Sequence, residues 1–365
     1  FFGHKVRDKL NYPFIQSRGF DKNASIKEKE WPRSSSIGST LKEAINTGNV
    51  QILTNHIVES FETNIETELA TKIKIINTET GLKRELNCEL IILCASTIST
   101  LRILLNSQRD FNKKGFNDTS GKLGQYLMDH ISICKFFSIP ECHPKQEMRS
   151  IKEGYLSGAG SFFFPFGSEL PNKSEIDFLR GYGTWGAIDR FGIPRFLQRN
   201  PSDSIGFLIS HGEVLPKASN KVQLSNNVDK WDIPIPEISF KWSNNEYKMV
   251  RHMKKTIKDS INVVDGKIRN IDEIYKIPYI KNFASKSIAL SGEPPPPGYY
   301  IHEVGGARMG SNEEESVVDK WNRLWRCKNV IVADGSCWPT SSWQSPTLTM
   351  MAICRRACLN IKKHC

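Results

Sequence analysis

The spacing of hydrophobic and polar positions changes several times along the chain, and each change marks an element. After the polar run Ser34 to Thr40, Leu41-Lys42-Glu43-Ala44-Ile45 predicts a short helix, stopped by Asn46-Thr47-Gly48. Strands are expected at 50–53 and 58–63, and the alternating stretches 72–77 and 82–86 flank Glu79-Thr80-Gly81 as a hairpin. Leu90-Ile91-Ile92-Leu93-Cys94-Ala95 is apolar at consecutive positions, the pattern of a strand covered on both faces. Ser96 and Thr97 then start a helix through Leu101, Ile103, Leu104 and Leu105. Buried strand, tight turn and helix make half of a dinucleotide-fold unit.

From about 131 to 293 the pattern alternates instead, notably at 205–210, 221–224 and 235–242, and is rich in Phe, Trp and Pro. That predicts an antiparallel sheet with helices to one side, one of them over 246–261. Pro294-Pro295-Pro296-Pro297-Gly298 reads as a stiff extended spacer. Beyond it Val330-Ile331-Val332-Ala333 is a second apolar strand, ending in Asp334-Gly335. Ser345-Pro346 opens a final helix, whose apolar face is expected at Leu348, Met351, Ala352, Cys358 and Leu359. The expected fold class is α/β with an antiparallel insert. Its nucleotide-type domain is discontinuous, over 31–130 and 296–365, around an insert at 131–295, with residues 1–30 irregular.

Composition narrows the class. The 365 residues are 39% hydrophobic and 24% charged, the balance of a folded globular chain, not a disordered one. No apolar run reaches the roughly 20 residues of a membrane helix, so no membrane span is expected. The chain starts at Phe1, not Met, so the sequence does not speak to a signal peptide or targeting segment. Lys and Arg give a net charge of +11 but are scattered among Asp and Glu, so no nucleic-acid partner is expected. The charge reads as a solvated basic surface, or as an attraction for an anionic cofactor or substrate. Nine cysteines include no Cys-x-x-Cys pair, and Cys354 and Cys358 lack a His at ligand spacing, so no metal site is expected. Cys88, Cys94 and Cys134 lie in apolar stretches as expected buried thiols, and the cysteines read as reduced, in a cytoplasmic setting.

Candidate chemistry gathers at strand ends, where open α/β sheets bind ligands. Ala95-Ser96 and Asp334-Gly335-Ser336 answer that description. The Asp can accept from sugar or ribityl hydroxyls, and Asp-Gly-Ser is equally a plain turn. Free N–H groups at Thr347 and Leu348 offer partial positive charge to an electron-rich ligand, or simply begin a packing helix. His302 stands before the turn Val304-Gly305-Gly306-Ala307-Arg308-Met309-Gly310 and reads as a general base or a structural imidazole; His130, in Leu127-Met128-Asp129-His130, has the same two readings.

Several motifs in register now converge. The His-x-x-Gly turn with Arg308-Met309-Gly310 is followed by Ser316-Val317-Val318-Asp319 and by Asn329 to Ser336. Pro339-Thr340 and Ser345-Pro346-Thr347-Leu348-Thr349-Met350-Met351-Ala352 follow in order. This C-terminal portion resembles the glucose–methanol–choline (GMC) oxidoreductases. Asn117 to His130 and Asp229-Lys230-Trp231-Asp232-Ile233-Pro234 resemble two earlier stretches of the family, and the likeness runs from about Ser34 to the C-terminus.

The resemblance implies an incomplete FAD-binding Rossmann-like domain with a substrate-binding domain built on a mixed antiparallel sheet. It implies an FAD-dependent enzyme that oxidises a small-molecule alcohol to a carbonyl, with an electron acceptor left unspecified. A sugar, amino sugar or polyol is expected as that alcohol from the Trp and Tyr residues near the site motifs. His302 matches the family's base. Val58, Ala95, Asp334, Gly335, Pro346 and Thr347 match cofactor-binding positions. The second active-site residue, usually His or Asn, is replaced by Ser345 after Gln344, so one of these two is expected to serve, and Gly306 and Ser96 also depart from the family's common residues. Trp338, Trp343, Tyr299 and Tyr300 stack on a sugar ring or belong to the core. The family's pyrophosphate loop, Gly-x-Gly-x-x-Gly near its N-terminus, is not read in this chain, so an N-terminal segment or a partner chain is expected to supply it. The rival reading is a non-catalytic remnant that needs such a partner to bind FAD.

Overall fold

The computed structural model describes residues 40–109, 112–140, 162–168, 176–188, 195–281, 293–300 and 302–364. The irregular head expected over 1–30 and the polar run from Ser34 to Ser39 lie outside the described residues. Helix α1, Thr40–Asn46, forms where expected and ends at Gly48, whose φ of 75° suits a residue without a side chain. No strand forms at 50–53, where Val50, Ile52 and Leu53 are exposed among the described residues.

Strands β1 (His56–Thr63), β2 (Ala70–Asn77) and β3 (Lys83–Asn87) make an antiparallel sheet. Its β2–β3 turn is the expected hairpin: the Asn77 side chain accepts from the N–H groups of Glu79 and Thr80, and Gly81 takes a φ of 73°. Strand β4 (Ile91–Leu93) feeds helix α2 (Thr97–Ser107). Only one face of β4 is covered: Ile91 and Leu93 are buried, whereas Leu90 and Ile92 are exposed among the described residues, against the expectation of burial on both faces. Cys94 is likewise exposed, and Cys88 and Cys134 are half-buried, so none of the three is the fully buried thiol expected.

β5 (His130–Pro140), β6 (Phe162–Gly167), β7 (Gly181–Ile188), β8 (Asp203–Glu213) and β11 (Lys267–Arg269) form one antiparallel sheet, in the order β11-β5-β8-β7-β6. Helix α3 (Asn244–Val263) lies on it, and a short helix α4 (Ile271–Ile274) follows β11. A capping box between Ser243 and Glu246 starts this helix, and Met249, Val250, Met253, Ile257 and Ile261 form its buried stripe. The hairpin β9 (Lys221–Val228) and β10 (Pro234–Ser239) stands apart from that sheet and packs on α2. Arg102 fixes it there: its guanidinium donates to the carbonyls of Ile233 and Pro234 and meets Asp229 at 2.7 Å. Asp229 to Pro234 is therefore the turn that docks this hairpin onto the helix.

The Gly-x-Gly-x-x-Gly spacing does occur once, at Gly181, Gly183 and Gly186, and corrects the expectation that it is lacking. All three lie inside β7, not between a strand and a helix. The absent side chains of two of them make room for protein: a Cβ on Gly183 would strike the Trp343 ring at 2.0 Å, and one on Gly181 the Phe166 carbonyl oxygen at 2.3 Å. This is a packed sheet, not a phosphate cradle.

β12 (Arg323–Leu324) leads into β13 (Cys327–Val332), which pairs in parallel with β4 through Val330 to Val332. Helix α5 (Thr347–His364) closes the chain. It buries Ala357 and Asn360 and turns Ile353, Cys354 and Ile361 partly inward, while Leu348, Met351, Ala352, Cys358 and Leu359 are exposed, so the packed face is not the one expected. Two main cores result. One joins β4, β13 and α2 to β1 and β2; the other lies between the five-stranded sheet and α3. No described helix is long and apolar enough to cross a membrane.

Candidate functional site

The segment after His302 is held from both sides by backbone hydrogen bonds. On one side Met128 and Val304 exchange N–H···O bonds of 2.8 and 2.9 Å. On the other, Gly305, Ala307 and Met309 donate to the carbonyls of Gly335, Ser336 and Cys337, each at 2.8 Å. Gly305 and Gly306 have φ of 89° and 95°, and a Cβ on Gly305 would sit 2.3 Å from the Tyr126 carbonyl oxygen. Glycine is what lets this segment pass between its neighbours. The same geometry ties it to the ends of the parallel strands β4 and β13. Thr97, at the start of α2, donates to the Glu303 carbonyl, and Gly335, past the end of β13, lies against Thr97, Glu303 and Met350 of α5. The loop carrying His302 and the first turns of two helices thus meet around Gly335.

His302 is half-buried there, with His130 and His211 as neighbours. The His130 and His302 rings lie 4.9 Å apart, edge to face, and His211 is 5.5 Å from His130. Tyr300 meets His211 edge-on at 5.1 Å. Burial lowers the pKa of all three imidazoles: that of His130 to about 3, with the nearby His211 and His302 adding to it, and that of His211 to about 4. A neutral imidazole can accept a proton, so desolvation leaves His302 in the form a base requires. Asp129 beneath them is pushed up to about 7, chiefly by burial, and accepts from the His130 backbone N–H at 2.7 Å. Among the described residues no three His, Cys, Asp or Glu side chains are arranged to hold a metal ion.

The other expected site residues fall into two groups. Ala95, Thr347, Gln344 and Ser345 are exposed near the helix starts, and neither Gln344 nor Ser345 is hydrogen-bonded through its side chain to His302. Asp334 turns inward instead: its carboxylate accepts from the N–H and hydroxyl of Ser336 and from Thr100, so it braces the Gly335–Cys337 turn. Pro346 is buried, and Val58 packs partly into the first core. Trp338 is a core residue, whereas Trp343 lies over Gly183 and Tyr300 faces the histidines. His211 carried no motif in the sequence. Only the β5–β8 register, which sets it opposite Ser132, brings it to the site. A separate cleft, lined by Glu59, Lys74, Lys83 and Lys114, lies elsewhere.

Residues 216–354 match the family model for the GMC oxidoreductases, that of their C-terminal domain. The chain is similar to a 2-methyl-1,2-propanediol dehydrogenase of Mycolicibacterium austroafricanum, at 25% identity over 90% of this chain and 55% of that protein. It is also similar to a fructose dehydrogenase large subunit of Gluconobacter japonicus, at 24% identity over 84% of this chain and 53% of that protein. The chain spans about half the length of these two relatives. Among solved structures, a likeness in fold extends to an FAD-dependent oxidoreductase from Chaetomium thermophilum. Its TM-score is 0.59 at 14% identity, covering 88% of this chain and 63% of that one.

Proposed function

We propose, from the premise that residues 216–354 are a GMC oxidoreductase C-terminal domain, that the protein takes part in FAD-dependent oxidation of an alcohol with His302 as base. The observation that carries this is the convergence at Gly335, where the loop bearing a half-buried, neutral imidazole meets the starts of α2 and α5. The residues present fit a flavin. The parallel strands β4 and β13 end beside each other, and Ala95 and Thr347 stay exposed next to helix N-termini, whose free N–H groups favour electron-rich atoms. When bound, FAD supplies the acceptor for the hydride that leaves the alcohol carbon. The protein's own part is to orient the hydroxyl and to take its proton on His302. Ser345 or Gln344 donates to the substrate oxygen, and Tyr300 and Trp343 border the space a sugar or polyol would fill. Val58 and Gly335 hold the cofactor with them, and the cofactor-binding part is taken as 31–130 with 296–365.

A screen of sugars and polyols with a dye acceptor, run on the intact FAD-loaded protein, tests this reading. Bleaching of the yellow flavin spectrum by at least one alcohol is expected. A protein that binds FAD yet is reduced by none of them contradicts it.

A further inference from the structure

The pairing of Met128 with Val304 is antiparallel, so two residues outward it sets position 130 opposite position 302. His130 and His302 are thus cross-strand neighbours, with their Nδ1 atoms 3.3 Å apart. Two ring nitrogens at that distance need one donor and one acceptor. On its other side the backbone of Ser342, in the loop before α5, favours a proton on the His130 ring, as a carbonyl acceptor does. With Nδ1 turned to His302, the nitrogen that donates to Ser342 is Nε2. A neutral His130 with its proton on Nε2 keeps a lone pair on Nδ1. It therefore accepts from His302, whose own proton sits on Nδ1.

We propose that His130 is a positioning residue that fixes the tautomer of His302 and so leaves Nε2 of His302 as the proton acceptor. The chain of bonds runs from His302 to His130 to the Ser342 carbonyl, and it sets the direction in which the base is open. It holds only while His130 is uncharged. The imidazoles facing it support that state. His211 approaches from β8 and His302 from the opposite segment, with Tyr300 against His211. The carboxylates nearby, Asp129 just before the strand and Glu303 close to it, act the other way where they are ionised, which burial of Asp129 delays to about pH 7. His130 itself is 3% exposed. A proton added to it would crowd two further imidazoles in a desolvated pocket, at higher cost than a proton taken up in water.

The inference rests on His302 being the base, and its test separates the two. In the intact protein with ¹⁵N-labelled histidine, long-range ¹H–¹⁵N spectra report which ring nitrogen carries the proton, without any turnover. Single His→Gln variants assign the signals. Across neutral pH we expect His302 protonated at Nδ1 and His130 at Nε2. The reverse pair, or a cationic His130, would overturn the proposal while leaving the base assignment to be judged by flavin reduction.

Two substitutions add a second readout. His130→Asn sets an amide oxygen, an acceptor, near the place of Nδ1, whereas His130→Phe fills the space with none. The Asn variant should keep the His302 tautomer. The Phe variant should lose it and slow the reductive step about 10- to 100-fold, part of what a general base contributes, with KM little changed. Equal slowing in both, with both folded, would mean that His130 only fills space and would overturn the proposal. Should the Phe variant fail to fold, the spectra of the unmodified protein still decide.

Discussion

Ser96 stands between β4 and α2 with φ of 72° and ψ of 154°, a region open almost only to glycine, and its side chain caps nothing. Ser96→Gly should therefore stabilise the fold by about 1 kcal/mol, read as a higher urea midpoint; an unchanged or lower midpoint would contradict the strain. Protons make a second prediction at this scale. His130 and His211 titrate near 3 and 4 in the fold and near 6.5 when free, so between about pH 4 and 6.5 the unfolded chain binds protons that the fold refuses, and stability falls with acidification. Asp129 opposes this: its carboxyl, raised to about 7, keeps a proton the unfolded chain releases, so its contribution is lost as pH rises from about 4 to 7. The imidazoles outnumber it, and His211→Gln should flatten the acid limb of the stability curve by about one proton. An unaltered slope would mean that His211 titrates normally. His302 was legible in the sequence because glycines and an Arg-Met-Gly run follow it. His211 was not, because its site neighbours come from strand register alone.

At the scale of elements, helix α5 shows what periodicity leaves open. It carries two apolar stripes, one through Leu348, Met351 and Leu359, the other through Met350, Ile353, Cys354, Ala357 and Ile361, and only packing against Ile331 and Ala333 selects the second. Leu359→Gln should then change stability by less than about 0.5 kcal/mol, whereas Ala357→Leu should cost about 1–3 kcal/mol by overfilling a closed site. Chemical denaturation of both variants checks the assignment, and the opposite ranking would refute it. The hairpin β9–β10 was visible as alternation, but its docking was not, since Arg102 lies over 120 positions away from the Asp229 it meets. Arg102→Met should destabilise by roughly 1–3 kcal/mol through the lost charged hydrogen bonds.

For the whole molecule, strand–helix order made the α/β character and the antiparallel insert readable, while the division into sheets depended on contacts between distant segments. The Gly-x-Gly-x-x-Gly spacing at 181–186 illustrates the limit: spacing alone does not distinguish a phosphate loop from a strand packed against Trp343. Because those glycines serve packing, residues 1–365 by themselves should hold FAD weakly, and tight stoichiometric binding in a fluorescence titration would contradict that. The chain leaves the first core at Met128 and enters the second at Ile131, with His130 between them at the start of β5. His302 and its neighbours thus sit between the two cores. Rapid-mixing measurement of flavin reduction in the intact protein and its His302→Ala variant tests the account most directly. The variant should keep its yellow colour and be reduced by alcohol at least about 100-fold more slowly; reduction at the unmodified rate would remove His302 from the chemistry.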